Sequence, residues 1–166
     1  MKDVDTLVSE LVQVTRKKIQ DESIEDPMMI GIHTGGAWVA ERLHEGLALK
    51  TPLGALNISF YRDDFTRIGM HPQVTPSHLP ASVEDRNIIL VDDVLYTGRT
   101  IRAALNEIFD YGRPRRVILV CLVERSGREL PIQADIVGEY IELATNQQVK
   151  LAGPQPLNLS IVDAAT

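Results

Sequence analysis

Short apolar runs alternate with amphipathic helical patterns along most of this chain. The apolar runs occupy residues 27–32, 87–91 and 116–123, and the helical patterns occupy residues 4–20, 37–49 and 100–112. Near-continuous aliphatic runs are typical of strands that are buried on both faces of a parallel sheet. Strands that alternate with helices in this way predict an α/β fold, with a mostly parallel central sheet flanked by helices.

The remaining segments predict further strands and one long loop. The further strands are expected at residues 55–62, 135–143 and 157–162. Residues 63–86 contain Pro72, Pro76 and Pro80 among polar residues, which indicates a loop. Loops of this length inside a domain are usually functional or mobile.

Size and composition favour a single domain over residues 1–166, with 44% hydrophobic and 24% charged residues. No apolar run is long enough to span a membrane, and the acidic N-terminus does not resemble a signal peptide, so no membrane partner is expected. The single cysteine, Cys121, lies in an apolar run and is expected to be a small buried hydrophobe. These features predict a cytoplasmic protein.

The net charge of −6 argues against nucleic-acid binding over the whole surface. The dense basic runs are RKK at residues 16–18 and RPRR at residues 113–116. Because several phosphate contacts need a broader basic surface, RNA binding is expected to be weak or absent. An anionic small molecule would need cations or backbone amides placed locally at its site.

Two adjacent aspartates follow one buried strand, in the stretch IILVDDVLYTGRT at residues 88–100. In open parallel sheets, ligands bind beyond the carboxyl ends of the strands, where Asp92 and Asp93 are expected to lie. Two carboxylates would repel a phosphate, so they are expected to face ribose hydroxyls and a hydrated Mg²⁺.

The loop behind the aspartates has the features of a phosphate cradle. It leads into a helix expected to begin near Thr100, and the free N–H groups of a helix N-terminus suit a phosphate. Thr97 and Thr100 can add hydroxyl groups, and Gly98 permits close backbone approach.

Three alternatives fit this stretch less well. A P-loop requires Gly-Lys-Ser/Thr, and a Rossmann fingerprint requires three spaced glycines, whereas this loop has one glycine. A plain strand–turn–helix with an aspartate as N-cap leaves the second aspartate without a reason. The adjacent pair therefore favours a nucleotide site.

The stretch resembles the phosphoribosyl pyrophosphate (PRPP) motif of type I phosphoribosyltransferases. Further segments, GIHTGGAWVAERL, ISFYRDDF and IRAALNEIFDYGRPRRVILVCLVERSGRELPIQADIVG, resemble the PyrR family of pyrimidine operon regulators that are also uracil phosphoribosyltransferases. The resemblance covers roughly residues 28–140. It implies the type I phosphoribosyltransferase fold, with a long flexible loop that closes over PRPP and a small C-terminal hood built from about residues 125–166 and part of the N-terminal segment.

The implied reaction converts uracil and PRPP to UMP and pyrophosphate, with Mg²⁺ bound by PRPP. Asp92 and Asp93 would hold the ribose hydroxyls and contact the metal only indirectly, through PRPP and water. The implied PRPP and phosphate contacts are Val94, Leu95, Tyr96, Thr97, Gly98, Arg99 and Thr100.

The stretch HTGG, which comprises His33, Thr34, Gly35 and Gly36, matches the pyrophosphate loop of the resembling family. Related pyrimidine regulators carry Lys and Arg where this chain has His33 and Gly35. Because a histidine is largely neutral near pH 7 and glycine carries no charge, slow catalysis is expected. The alternative for His33 is a polar loop residue without a ligand contact.

Three further residues complete the implied site. Arg62 is a candidate catalytic residue that covers the pyrophosphate, and its alternative is a salt bridge with a neighbouring aspartate at the strand end. Ile136 would pack on the pyrimidine face, and the Val137 backbone would read the edge of the base. The alternative for both is an ordinary sheet strand.

Three functions remain open at this point. The first is a uracil phosphoribosyltransferase, and the second is a regulator of pyrimidine genes that senses UMP or PRPP and binds RNA. The third is a catalytically weak sensor or partner-binding regulator without RNA attenuation. The resemblance also implies a homodimer or homotetramer.

Overall fold

Five parallel strands form one sheet in the computed structural model, which describes residues 1–58 and 77–164. The strands are β1 (Met28–Ile32), β2 (Gly54–Leu56), β3 (Asn87–Leu95), β4 (Arg116–Arg125) and β5 (Ile136–Ile141), in the order β2-β1-β3-β4-β5. The helices are α1 (Val4–Asp21), α2 (Gly35–Leu47) and α3 (Arg99–Tyr111). A separate antiparallel hairpin consists of β6 (Gln147–Ala152) and β7 (Asn158–Asp163).

Two hydrophobic clusters lie on the opposite faces of the sheet. The first joins α1 and α2 to one face, and its buried members include Leu7, Leu43 and Leu122. The second joins α3 to the other face through Ile101 and Ile108. The strand residues between the two clusters are almost fully buried, as expected of a parallel sheet that is covered on both sides. The predicted mostly parallel sheet flanked by helices is therefore confirmed.

The hairpin packs against the first cluster through Val149, Leu151, Leu157 and Leu159. Strand β7 was predicted, whereas β6 was not, because the segment QQVKLA carries little apolar signal. The hairpin lies in the part of the chain expected to form a hood, and the role of that part stays a prediction. No helix in residues 1–58 and 77–164 combines the length and apolar character that crossing a bilayer requires.

Two strand boundaries differ from the sequence-based expectation. Strand β3 continues through both aspartates to Leu95, since residues 94 and 95 still pair with β4. Strand β2 ends at Leu56, and residues 59–62 of the predicted strand lie outside the described residues. Residues 63–76 of the predicted loop also lie outside the described residues. The described part of the loop begins at residue 77, and His78 forms an antiparallel bridge with Ala55.

Cys121 is completely buried in β4, as predicted. Burial raises the pKa of its thiol well above the ordinary range, and the carboxylate of Asp92, its partner across the sheet, adds to the effect. The thiol is therefore an inert part of the core.

Candidate active site

The carboxyl ends of β1 and β3 bring the two predicted motifs together. The strands are parallel neighbours, and Gly31 pairs with Val91. His33, which directly follows β1, and Asp92, which lies in the last part of β3, are therefore at the same edge of the sheet. This is the edge at which open α/β sheets bind ligands.

The paired aspartates are held by their own backbone. Oδ1 of Asp92 accepts a hydrogen bond of 2.9 Å from the Asp93 N–H, and Oδ1 of Asp93 accepts one of 2.9 Å from the Val94 N–H. Asp92 is only 5% exposed, whereas Asp93 is half-buried. Asp93 is therefore the more accessible of the two carboxylates.

The first turn of α2 lies directly against both carboxylates. A Cβ added to Gly36 would lie 2.9 Å from Oδ1 of Asp92 and 2.8 Å from the Val91 carbonyl oxygen. A Cβ added to Gly35 would lie 2.7 Å from Cγ of Asp93 and closer still to its Oδ2. Only glycine permits this approach, so HTGG and the aspartate pair form one site rather than two.

The segment that precedes α2 is bound to β2 through its backbone but gives the N-terminus of the helix no side-chain cap. The His33 N–H donates a hydrogen bond of 2.8 Å to the Leu56 carbonyl oxygen of β2. Thr34, the exposed N-cap of α2, makes no side-chain capping bond, and the peptide bond between His33 and Thr34 is cis. The side chain of His33 is half-buried. An uncapped helix N-terminus is suited to bind an anion.

The phosphate loop is shorter than the sequence suggested. It comprises Tyr96, Thr97 and Gly98 (the phosphate loop hereafter), because β3 ends at Leu95 and α3 begins at Arg99. Gly98 has φ 99°, a left-handed conformation that favours glycine, and it provides no side-chain cap for α3. The Arg99 N–H donates a hydrogen bond of 3.2 Å to Oγ1 of Thr97, so the helix presents the N–H groups of the next residues, Thr100 and Ile101, beside the loop.

A cavity of about 100 Å³ opens at this point. Its lining consists of Asp92, Val94, Leu95, Tyr96, Thr97, Gly98, Thr100 and Ile101. The volume corresponds to a few water molecules, since one water occupies about 30 Å³ of liquid. The cavity is thus of the right order for a phosphate group. Of the predicted phosphate contacts, Arg99 is absent from the lining, and its guanidinium lies 3.7 Å from the Glu129 carboxylate instead.

A segment that the sequence did not single out braces the phosphate loop. The N–H groups of Glu129 and Leu130 both donate to the Thr97 carbonyl oxygen, at 3.0 and 3.1 Å. The guanidinium of Arg125 lies 3.9 Å from the centroid of the Tyr96 ring. These residues belong to the family-like stretch ERSGRELPI, but nothing in its local pattern indicates contact with residues 96–98.

Glu107, a buried acid on α3, is linked through Ser77 to Asn57, so it connects the chain on either side of residues 59–76. Asn57 N–H donates to Oγ of Ser77 at 2.9 Å, and that hydroxyl donates to Oε1 of Glu107. Glu107 is 4% exposed, and its Oε2 has no hydrogen-bond partner among residues 1–58 and 77–164. Burial raises the pKa of its carboxyl group, although the bond from Ser77 opposes this. The helical spacing of Glu107 from Ala104 on the apolar face of α3 could have revealed this position.

The remaining predicted residues are placed differently. Ile136 is 6% exposed and belongs to the cluster beneath α1 and α2, a position that fits the alternative of an ordinary sheet residue. Val137 is half-buried and pairs with Cys121 of β4. Their contact with a base stays a prediction. Arg62 lies outside the described residues.

The donor set at this edge can assist a metal ion but does not enclose one. Within residues 1–58 and 77–164, no group of three or more His, Cys, Asp and Glu side chains could hold a metal. Mg²⁺ prefers six oxygen ligands and usually keeps several waters and substrate phosphates among them. The two aspartates therefore fit a metal that arrives with its ligand, not a resident ion.

Comparison with known proteins identifies the family. Residues 4–154 match the model of the phosphoribosyl transferase domain. The bifunctional protein PyrR of Nitrosococcus oceani is 64% identical over 160 residues, which cover 95% of this chain and 90% of the relative. The PyrR protein of Pseudomonas paraeruginosa is 54% identical over 153 residues, which cover 92% and 90%.

A solved structure of the hypoxanthine phosphoribosyltransferase from Trypanosoma cruzi shares the fold, with a TM-score of 0.65. It is 19% identical, and the match covers 84% of this chain and 77% of the other. The family resemblance predicted from the motifs is confirmed: this chain belongs to the PyrR family of phosphoribosyltransferases.

Proposed function

We propose that this protein transfers ribose 5-phosphate from PRPP to uracil and that its nucleotide site also serves to sense UMP or PRPP in the regulation of pyrimidine genes. The observation that carries the proposal is the contact between the first turn of α2 and the paired aspartates. It joins a helix N-terminus for pyrophosphate, two carboxylates for ribose and a cavity for the 5′-phosphate at one edge of the sheet.

In the proposed reaction, the bond between ribose C1′ and the pyrophosphate oxygen breaks, and its electron pair leaves with the pyrophosphate. Uracil N1 forms the new bond to C1′, and its proton passes to solvent. Positive charge develops on the ribose ring in the transition state. Asp92 and Asp93, which hold the ribose hydroxyls, stabilise that charge by lying close to the ring.

The 5′-phosphate occupies the cavity at the start of α3. The N–H groups of Thr100 and Ile101, with the hydroxyls of Thr97 and Thr100, are the donors. Because these groups are fixed before the ligand binds, little reorganisation is needed during the reaction.

The pyrophosphate lies at the first turn of α2, where backbone N–H groups and the helix dipole favour an anion. Asp92 and Asp93 would face a Mg²⁺ ion that arrives with PRPP, and such an ion would supply neutralisation of the leaving charge. His33 stands where a fixed cation would otherwise add to this stabilisation, which supports a modest turnover. The contribution of Arg62 remains part of the proposal, as does the reading of the base by Ile136 and Val137.

A catalytically weak sensor without RNA attenuation is the second candidate. One observation favours the part about RNA: two arginines of the basic run RPRR are paired with carboxylates within the fold. Arg115 pairs with Asp85 at 2.9 Å, and Arg116 pairs with Glu22 at 2.6 Å. Curated relatives of high identity carry the name bifunctional protein PyrR, and this supports the enzymatic function over its loss.

Turnover with uracil, PRPP and Mg²⁺, measured as the formation of UMP, tests the enzymatic proposal directly. Calorimetric titrations with UMP and with PRPP plus Mg²⁺ accompany it. UMP formation that disappears in Asp93→Asn supports the proposal. Binding without turnover would reduce the function to sensing, and the absence of both binding and turnover would overturn it. Sedimentation of the same samples tests the expected homodimer or homotetramer, and cell fractionation tests the expected cytoplasmic location.

A further inference from the structure

Arg125 is a buried cation at the carboxyl end of β4. The residue is 5% exposed, and its guanidinium lies over the Tyr96 ring, 3.9 Å from the centroid. Tyr96 itself is 43% exposed, so the ring lies between Arg125 and the surface beside the phosphate cavity. A guanidinium stacked on an aromatic face orients the ring and is stabilised by its negative face.

No acid in the part of the chain that the structure describes balances the positive charge of Arg125. None of the ion pairs among residues 1–58 and 77–164 includes it. Its polar partners are two backbone carbonyl oxygens, that of Gln147 at 2.6 Å from Nη1 and that of Ser126 at 3.1 Å from Nε. Burial of an unpaired charge is unfavourable unless another group offsets it. An anion at the adjacent phosphate loop would provide that offset.

The residues that follow Arg125 fit closely around the phosphate loop. A Cβ added to Gly127 would lie 2.5 Å from Cε1 of Tyr96, so the ring needs glycine there. The N–H groups of residues 129 and 130 hold the Thr97 carbonyl, as described above. A Cβ on Gly98 would contact Leu130. The loop therefore has its shape imposed from residues 125–130 as well as from its own sequence.

We propose that Arg125 is a positioning residue for the phosphate site. It holds the Tyr96 ring, and through it the phosphate loop, in the conformation that receives the 5′-phosphate, and its charge raises the local affinity for an anion. This inference rests on the proposed function, because it takes the cavity beside Thr97 to be the 5′-phosphate site. The bond to Gln147 also couples the start of β6 to that site.

The inference is tested by calorimetric titration of UMP into Arg125→Met, Arg125→Lys, Tyr96→Leu and Tyr96→Phe. Loss of the stacked cation should raise the Kd of Arg125→Met about tenfold, the order expected of a desolvated cation–π contact. Tyr96→Leu should show a similar increase, and Tyr96→Phe should bind more tightly than Tyr96→Leu because it keeps the ring. Arg125→Lys should lie between wild type and Arg125→Met. The control Arg115→Met removes one positive charge at the opposite edge of the sheet and should bind UMP like the wild type.

A double variant and a kinetic measurement distinguish positioning from a general loss of structure. Because Arg125 positions the loop through its contact with Tyr96, Arg125→Met with Tyr96→Leu should bind UMP more tightly than the product of the two single effects would give. The KM for PRPP should rise while the KM for uracil and the kcat at saturating PRPP change little.

Wild-type affinity for UMP in Arg125→Met, or effects that multiply in the double variant, would overturn the inference. If Arg125→Met does not fold, as judged by thermal unfolding, the comparison of Tyr96→Leu with Tyr96→Phe decides: equal affinity of these two overturns it. If the wild type binds neither UMP nor PRPP, the proposed function fails instead, so the two failures are distinct.

Discussion

Gly35 has no room for a side chain because Asp93 occupies the space beside it. A Cβ at Gly35 would lie 2.7 Å from Cγ of Asp93, and Gly36 has the same relationship with Asp92. The family resemblance implies an arginine at the position that Gly35 occupies here. In this protein an arginine there would require Asp93 or the start of α2 to move.

Gly35→Ala should therefore impair the site while α2 remains folded. The new methyl group displaces either the Asp93 carboxylate or the first N–H groups of the helix, and displacements of about 1 Å can reduce catalysis as much as a hundredfold. Turnover of PRPP and UMP affinity are the measurements. Gly46→Ala is the matched control, since its Cβ also meets a neighbour, Cγ2 of Val12 at 2.8 Å, at the far end of the same helix. Equal losses of activity in both variants would contradict the prediction.

Strand β3 illustrates which parts of this site the sequence can predict. The apolar residues 88–91 indicate a buried strand, and the motif identifies the acids at its end. The strand nevertheless continues to Leu95, because Val94 and Leu95 still pair with Val123 and Glu124 of β4. Such pairing depends on a neighbouring strand and has no local signal.

Contacts between distant segments could not be predicted for the same reason. The approach of Gly35 to Asp93 follows from the parallel register of β1 and β3, which single-sequence patterns do not specify. Arg125 reaches Tyr96 only because β4 lies beside β3. By contrast, the three helices were predicted correctly, since periodicity is a local property.

The paired aspartates are expected to contribute separately to ribose binding. Asp92→Asn and Asp93→Asn should each raise the Kd for UMP and for PRPP by about 10- to 100-fold, the range for hydrogen bonds to a charged group. Both amides keep an Oδ1 that can accept the backbone bond of the native carboxylate, so folding should be preserved. Calorimetry measures the affinities, and Asp110→Asn, on the last turn of α3, is the control. Native affinity in both variants would remove the ribose-binding role.

A fixed cation in the pyrophosphate loop should increase turnover. His33→Lys is expected to raise kcat/KM for PRPP by about tenfold, because a cation near the leaving group stabilises charge that develops in the transition state. UMP has no pyrophosphate, so its affinity should hardly change and provides an internal control. The variant is preferable to a change at Gly35, where no side chain fits. Slower turnover in His33→Lys, or a wild type as fast as efficient relatives, would refute the role of lost charge.

Glu107 should make the protein less stable as the pH rises. Its folded-state pKa lies above the ordinary value of 4.5, mainly because it is buried. Between those two values the folded protein binds more protons than the unfolded chain, so the free energy of unfolding falls with pH and then stays low above the folded pKa. Glu107→Gln cannot ionise and should remove this component.

The measurement is the free energy of unfolding in denaturant at several pH values from about 4 to 8. Carboxyl groups with lowered pKa, such as Asp85 beside Arg115, act in the opposite direction in both proteins. The difference in unfolding free energy between variant and wild type therefore isolates the contribution of Glu107. The stability of Glu107→Gln relative to the wild type should increase as the pH rises. Glu45→Gln, at an exposed position of α2, is the control. A difference that does not vary with pH would contradict the argument.

RNA binding is expected to be weak because the basic runs are neutralised where they lie. In RPRR, the pKa of the Asp85 carboxyl is lowered mainly by its hydrogen bond from Arg115, and that of Glu22 is lowered by Lys18 and then Arg116. In RKK, Lys17 pairs with Asp21 at 2.5 Å and Lys18 with Glu22 at 2.7 Å. Arginines and lysines held by carboxylates must give up those partners before they contact phosphates.

The two acidic partners provide a direct test. Asp85→Asn combined with Glu22→Gln frees Arg115 and Arg116 without adding any basic residue, so non-specific RNA affinity should increase and its salt dependence should steepen. Filter binding of a pyrimidine-operon leader RNA and of an unrelated RNA of equal length, at two salt concentrations, gives both quantities. The control is Asp163→Asn with Glu142→Gln, which changes the net charge equally but at the far end of the sheet from RPRR. Tight, salt-sensitive and sequence-selective binding of the leader RNA by the wild type would show that phosphate contacts arise elsewhere on the protein, and the prediction would be wrong.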